Sequence, residues 1–138
     1  MKAAYFTGNN NIVIKDVPKP VLKDGEVLVK VKACGLCGSE KKQLKRGTDC
    51  IPGHEISGVV AETNPGSNIR VGTRVALYLP YYCGECFYCQ QGKTNACQNR
   101  AGLIGHSMDG GYAEYVAVRE NVLIPLDDAL SYEQGVLL

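Results

Sequence analysis

The chain has no surplus of charge of either sign: 15 basic residues stand against 14 acidic ones. That balance leaves no electrostatic footprint for a nucleic acid or an anionic membrane surface, so neither partner is expected. No apolar run approaches the roughly 20 residues that a membrane helix needs. The start, Met1-Lys2-Ala3-Ala4-Tyr5, carries no secretory h-region, which makes the cytoplasm the expected compartment. Internal repeats and low-complexity tracts are missing. None of the 16 glycines forms a G-x-G, so these residues lack the fingerprint that opens a dinucleotide-binding helix.

What is present is a chain of 138 residues, 45% apolar, long enough for one domain with a core and too short for two. Residues 2–7 and 11–17 read as strands around the turn cluster Gly8-Asn9-Asn10-Asn11, and Pro18 and Pro20 end the second. In residues 26–33, Val27, Val29 and Val31 share one face while Lys30 and Lys32 share the other, a half-buried antiparallel pattern. Further strands are expected at 56–63, 73–78, 112–118 and 122–124. Ser39 to Arg46 reads as a short helix with Ser39 as N-cap and Gly47 at its end. Ser131 and Gln134 have capping-box spacing before the apolar Val136-Leu137-Leu138. A chain that stops on an apolar triplet inside its own helix is expected to be cut from a longer protein. Short strands with little helix predict a mainly β barrel or sandwich.

Of the seven cysteines, four fall at Cys83, Cys86, Cys89 and Cys97, a C-x2-C-x2-C-x7-C run. Four thiolates close a tetrahedral zinc and leave no position for substrate, so the site reads as structural. An odd cysteine total without a secretory leader argues against disulfides. A ferredoxin-type run would close with a shorter gap and a proline, whereas Gln98 follows Cys97.

Cys37 lies in Gly35-Leu36-Cys37-Gly38-Ser39 after the long strand, and His54 in Pro52-Gly53-His54-Glu55 before the next. One cysteine and one histidine at strand ends suit an open zinc, which keeps three protein ligands and one exchangeable position. Alone, the pair also fits a packed cysteine and a surface or capping histidine.

These motifs, together with the run from Asp109 to Tyr115 (Asp-Gly-Gly-Tyr-Ala-Glu-Tyr), stand in an order that resembles the zinc-dependent medium-chain alcohol and polyol dehydrogenases over the whole chain. The resemblance implies that residues 1–138 are the GroES-like β-barrel catalytic domain, with a zinc-binding lobe, few short helices and no Rossmann cofactor domain. It implies Cys37 and His54 as ligands of a catalytic zinc, with Glu55 beside the metal and Ser39 passing the substrate proton outward. Cys83, Cys86, Cys89 and Cys97 match the structural zinc. NAD or NADP, an alcohol or polyol substrate and a homo-oligomer are implied for the full-length protein.

Three departures stand out. Glu40 occupies the position where the family usually has Asp, and Lys42 the position of a relay histidine. The third ligand is missing, since in the polyol branch a Glu follows a tail like Val136-Leu137-Leu138. In this chain alone the catalytic site is therefore expected to be empty, partly filled, or completed by Glu55 or a foreign ligand, without turnover. Cys34 and Cys50 fall outside these motifs; Cys50 reads as a small buried hydrophobe, with a substitute-ligand role as the minor alternative. His106, in Gly105-His106-Ser107, reads first as an exposed loop histidine, with contact to substrate as the lesser alternative. Tyr81, Tyr82, Phe87 and Tyr88 are expected to pack over the metal lobe or to line a substrate cleft. The Lys41-Lys42 and Lys45-Arg46 cluster reads as a solvated helix face. The competing function is a zinc-stabilised β-barrel serving as a binding or scaffold module, which has no use for an open metal site.

Overall fold

The computed structural model describes residues 1–138. Strands β1 (Lys2–Gly8) and β2 (Asn11–Asp16) form an antiparallel hairpin. Asn9 and Asn10 turn it with φ of 52° and 59°, the left-handed pair that a two-residue hairpin demands and asparagine tolerates. Strand β3 (Glu26–Cys34), helix α1 (Glu40–Arg46) and strands β4 (Ile56–Thr63) and β5 (Arg74–Leu77) follow. The excursion after β5 holds β6 (Pro80–Tyr81), helix α2 (Phe87–Gln90) and β7 (Gly102–Leu103). The chain returns through β8 (Tyr115–Arg119) and β9 (Leu123–Pro125) to helix α3 (Tyr132–Gly135). No helix is long and apolar enough to cross a membrane.

Five strands pair antiparallel in the order β8-β3-β4-β5-β9 and curl into a half-barrel, the mainly β, barrel-like architecture expected. Its concave face is the core: Val27 and Val29 from β3, Ile56 and Val60 from β4, and Val116 and Val118 from β8. Each side chain of this kind taken from water contributes about 1.5–3 kcal/mol, which makes this layer the main stabilising element. Leu28, on the opposite face of β3, is as buried as its neighbours. The alternation of apolar residues and lysine therefore holds only in the second half of that strand, where Lys30 and Lys32 are exposed. β3 is an interior strand, flanked on both sides by β4 and β8. On the outer face, Ser57 Oγ donates to the Tyr132 carbonyl at 2.6 Å and ties α3 to β4.

The capping box forms: Gln134 N–H donates to Ser131 Oγ at 3.2 Å, and Ser131 N–H to Gln134 Oε1 at 2.8 Å. Gly47, with φ of 86°, ends α1 by donating to the Gln43 carbonyl at 2.7 Å. Ser39 precedes α1 but does not cap it with its side chain. It already has helical φ and ψ of −63° and −28°, whereas a capping side chain reaches back from an extended residue.

The strand expected over 112–118 begins only at Tyr115. Residues 110–112 instead run against 51–53: Gly110, Gly111 and Tyr112 N–H donate to the carbonyls of Ile51, Gly53 and Pro52 at 2.7, 2.8 and 3.0 Å. Glycine is required there, because a Cβ on Gly110 would collide with the Gly53 carbonyl oxygen and come within 2.9 Å of that of Pro52. This seam brings two distant segments of the chain to one place.

Candidate metal centres

In the lobe after β6, the Sγ atoms of Cys83, Cys86, Cys89 and Cys97 all lie within 4.8 Å of one another. Cys83 Sγ is 3.6 Å from Cys97 Sγ and 3.9 Å from Cys89 Sγ. A sulfur tetrahedron around zinc has edges of about 3.8 Å, while a disulfide needs roughly 2.0 Å. The donor set therefore fits a zinc ion, and all seven cysteines are free thiols. Backbone amides prepare the charge. The N–H groups of Cys89 and Gln98 hold the Cys86 thiol down to about 6, and those of Glu85 and Cys86 lower that of Cys83. Burial pushes Cys89 the other way, up to about 12. Two of the four thus favour the thiolate before any metal arrives, the form a metal requires. Helix α2 delivers Cys89, and a single 3-10 turn at Thr94–Ala96 delivers Cys97.

The second cluster forms where β3 ends and β4 begins. Cys37 Sγ, a ring nitrogen of His54 and a carboxylate oxygen of Glu55 lie within 4.8 Å of one another. The two loops are tied by Gly35 N–H donating to the Glu55 carbonyl at 2.8 Å. Glu55 Oε2 fills the space that a Cβ on residue 35 would take, so the carboxylate folds back over Gly35. Sulfur, nitrogen and oxygen donors suit zinc, and three of them leave a position open.

Behind this cluster sits Glu40, only 1% exposed. Its Oε2 accepts the Cys37 N–H at 2.9 Å and the Tyr112 O–H at 2.7 Å. Its Oε1 faces His54 Nδ1 at 3.6 Å, just beyond hydrogen-bond reach, and neither of those buried atoms has another partner. With Nδ1 turned to a carboxylate, Nε2 is the nitrogen left for a ligand, the arrangement by which carboxylates orient metal-binding histidines. Burial first, and then Glu40, drive the Tyr112 hydroxyl far above the ordinary tyrosine range, so it remains a donor. Ser39 is exposed, and its hydroxyl makes no bond to the helix it precedes.

His106 is not the lone loop histidine expected. Its ring centroid is 4.7 Å from that of His54, and its Nδ1 is 3.1 Å from Gln43 Nε2. Burial and the neighbouring His54 lower its pKa. No local pattern marks this residue, because the seam between 51–53 and 110–112 is what brings it in. Cys50 belongs to neither donor cluster. It lines a cavity beside α1, and burial together with Asp109 raises its thiol pKa, so the substitute-ligand role has no support. Cys34 is pushed up to about 12 by burial and by the Glu40 and Glu55 charges, and stays a neutral thiol. Tyr81 packs in the half-barrel core at 2% exposure instead of over the lobe, accepting the Arg119 N–H at 3.0 Å. Tyr82 O–H donates to the Asn121 carbonyl, while Phe87 is largely exposed and meets only the edge of Tyr88. The cleft beside His54 and Glu55 is walled instead by Ile56, Leu77, Tyr78 and Ile124.

The fold and the two donor sets together fit a two-centre zinc protein. Residues 23–128 match the family described as the alcohol dehydrogenase GroES-like domain, and the chain belongs to that family. It is 39% identical over 144 residues to an alcohol dehydrogenase of Geobacillus stearothermophilus, covering 98% of this chain and 42% of the relative. To the sorbitol dehydrogenase of Bacillus subtilis it is 34% identical over 149 residues, covering 100% and 42%. Among solved structures, a thermostable alcohol dehydrogenase from Pyrobaculum aerophilum superposes with a TM-score of 0.89 at 31% identity, covering 100% of this chain and 44% of that one. The chain spans about two fifths of the length of these relatives.

Proposed function

We propose that residues 1–138 are the GroES-like catalytic domain of a cytoplasmic, homo-oligomeric, zinc-dependent dehydrogenase that oxidises an alcohol or polyol with NAD or NADP. The observation that carries this reading is the meeting of Cys37, His54 and Glu55 in one open site backed by Glu40. Those three residues would hold the catalytic zinc, and Cys83, Cys86, Cys89 and Cys97 the structural one. Zinc, when bound at the open site, supplies a Lewis acid that lowers the pKa of an alcohol hydroxyl. A nicotinamide, when bound, supplies the hydride acceptor. Solved relatives carry NADH in one case and NADP in another.

The residues of this chain do the positioning and the proton handling. Ser39 offers a free hydroxyl to take the substrate proton and pass it outward. Lys42 is exposed on the helix beyond it, so the outer path runs through water. Glu40 fixes the backbone of Cys37 and faces the ring of His54. In balance, the alcohol loses a hydride and a proton and becomes a carbonyl. Relatives named for sorbitol, D-arabitol phosphate and butanediol support a small polyol as the substrate class.

A metal count on the full-length protein tests the assignment. Two zinc ions per chain are expected. Cys37→Ala should remove one of them and the activity, leaving the circular dichroism spectrum unchanged. One zinc per chain before the substitution, with nothing lost after it, would favour the scaffold reading.

A further inference from the structure

A cavity of ≈ 900 Å³ lies against the same His106 whose ring packs on His54. Its walls come from β1 and β2, the end of α1 with the loop after it, and the turn at His106 and Ser107. That volume suits a small-molecule ligand. The polar groups on these walls are largely uncommitted. Arg46 makes no ion pair and no side-chain hydrogen bond. Lys15 rests only on the Tyr5 ring, with Nζ 4.8 Å from the centroid. The Thr48 hydroxyl is buried without a partner.

His106 can be oriented by hydrogen-bond logic. The Gly105 carbonyl can only accept, so Gln43 must present its amide nitrogen there, at 2.9 Å. The second hydrogen of that nitrogen points to His106 Nδ1 at 3.1 Å. Nδ1 is then the acceptor, and the neutral ring carries its hydrogen on Nε2. The cavity thus offers two cations, Arg46 and Lys15, against one carboxylate on its walls, Asp49, with Thr48 and His106 beside them. Asp109, close by, is already engaged by the Ile51 N–H at 2.9 Å.

We propose that this cavity is the subsite for the phosphate end of a phosphorylated polyol, with Arg46 and Lys15 as its cations. His106 stands at the junction between that subsite and the metal site. The proposal rests on the dehydrogenase reading above, since it places the reacting carbinol at Cys37, His54 and Glu55. Helix α1 sets the spacing. It runs from Glu40, behind His54, to Arg46, and six residues at about 1.5 Å rise cover about 9 Å. That reach leaves room for a sugar-alcohol chain of a few carbons between the reacting carbon and a terminal anion. A phosphomonoester fits the two cations better than a carboxylate does, because it carries more charge and three free oxygens with which to engage both together.

The test uses the full-length protein with sorbitol phosphate, sorbitol and gluconate. Each is titrated calorimetrically and assayed for oxidation. Sorbitol phosphate is expected to bind about tenfold or more tighter than either of the others, with kcat/KM ordered the same way. Arg46→Gln and Lys15→Gln should each cut that preference by roughly tenfold. Both are exposed and unpaired, so melting temperatures near the parent value are expected to show that the variants fold. Three results would overturn the subsite: oxidation of sorbitol with no preference for its phosphate, gluconate binding as tightly as sorbitol phosphate, or a preference that survives in the double variant. Binding of sorbitol phosphate that depends on Arg46 and Lys15, without oxidation of any alcohol, would uphold the anion site and refute the dehydrogenase reading instead.

Discussion

Glu40 Oε1 stands 3.6 Å from His54 Nδ1, in a pair whose side chains are 1% and 8% exposed. The other oxygen of the same carboxylate holds the Cys37 N–H, so one buried acid addresses two candidate ligands. Glu40→Gln separates steering from packing. With its oxygen kept on Cys37 and Tyr112, the amide would direct an N–H at His54 Nδ1. That nitrogen would have to accept, which moves the imidazole hydrogen to Nε2, the atom needed as ligand. Zinc affinity at the open site should fall about 10- to 100-fold, with the closed site untouched. Dialysis against a competing chelator followed by a zinc count measures it, and retention of both ions would remove Glu40 from its positioning role.

Gly35→Ala probes Glu55 without altering it. The new methyl group takes the space now held by the Glu55 carboxylate, whose own Cβ would lie 3.1 Å away. The carboxylate is the far end of a flexible side chain and can swing clear, so the stability cost should stay near 1–2 kcal/mol. If Glu55 helps to hold the metal, zinc loss should match that of Glu55→Ala. Denaturant midpoints and metal counts on both variants decide it, and full occupancy in Glu55→Ala would exclude Glu55 as a ligand.

Local chemistry made much of this fold legible in the sequence. Asn9-Asn10 announced the hairpin, Ser131 and Gln134 the capping box, and the spacing from Cys83 to Cys97 the sulfur cluster, because each depends on residues within a few positions of one another. The Cys37–His54–Glu55 meeting was readable only through its resemblance to a family, since the cysteine and the histidine lie 17 positions apart along the chain. What stayed hidden was set by tertiary packing. His106 reaches His54 through a glycine seam that has no period of its own, and Tyr81, beside the lobe in sequence, is claimed by the half-barrel core. Strands β6 and β7, at two residues each, are too short to show alternation.

Removing metal from the closed site should loosen the lobe and spare the half-barrel. Between Cys83 and Cys97 only Cys89 and Cys97 are buried, so the lobe has almost no apolar core of its own. The half-barrel, by contrast, keeps its valine layer. Limited proteolysis with a strong chelator present should therefore cut first within residues 84–96, with β3, β4 and β8 resisting. Fragments mapped by mass spectrometry give the order. An equally resistant lobe after chelation would mean that its sulfur cluster is not a metal staple.

Cys34 should leave a signature at alkaline pH. Burial first, and then the Glu40 and Glu55 charges, raise its thiol from the ordinary 9.0 to about 12. Above pH 9 the unfolded chain releases this proton while the folded chain keeps it, so the unfolded state gains and stability falls with rising pH. The contribution is complete below about pH 9 and declines up to about pH 12, by at most about 1.4 kcal/mol per pH unit. Other lysines and tyrosines titrate in that window as well, so the difference between the parent protein and Cys34→Ala is the quantity to follow. Urea midpoints at several pH values from 8 to about 11 should show the shallower decline in Cys34→Ala. Parallel declines would mean that Cys34 ionises in the folded protein as readily as in the unfolded chain.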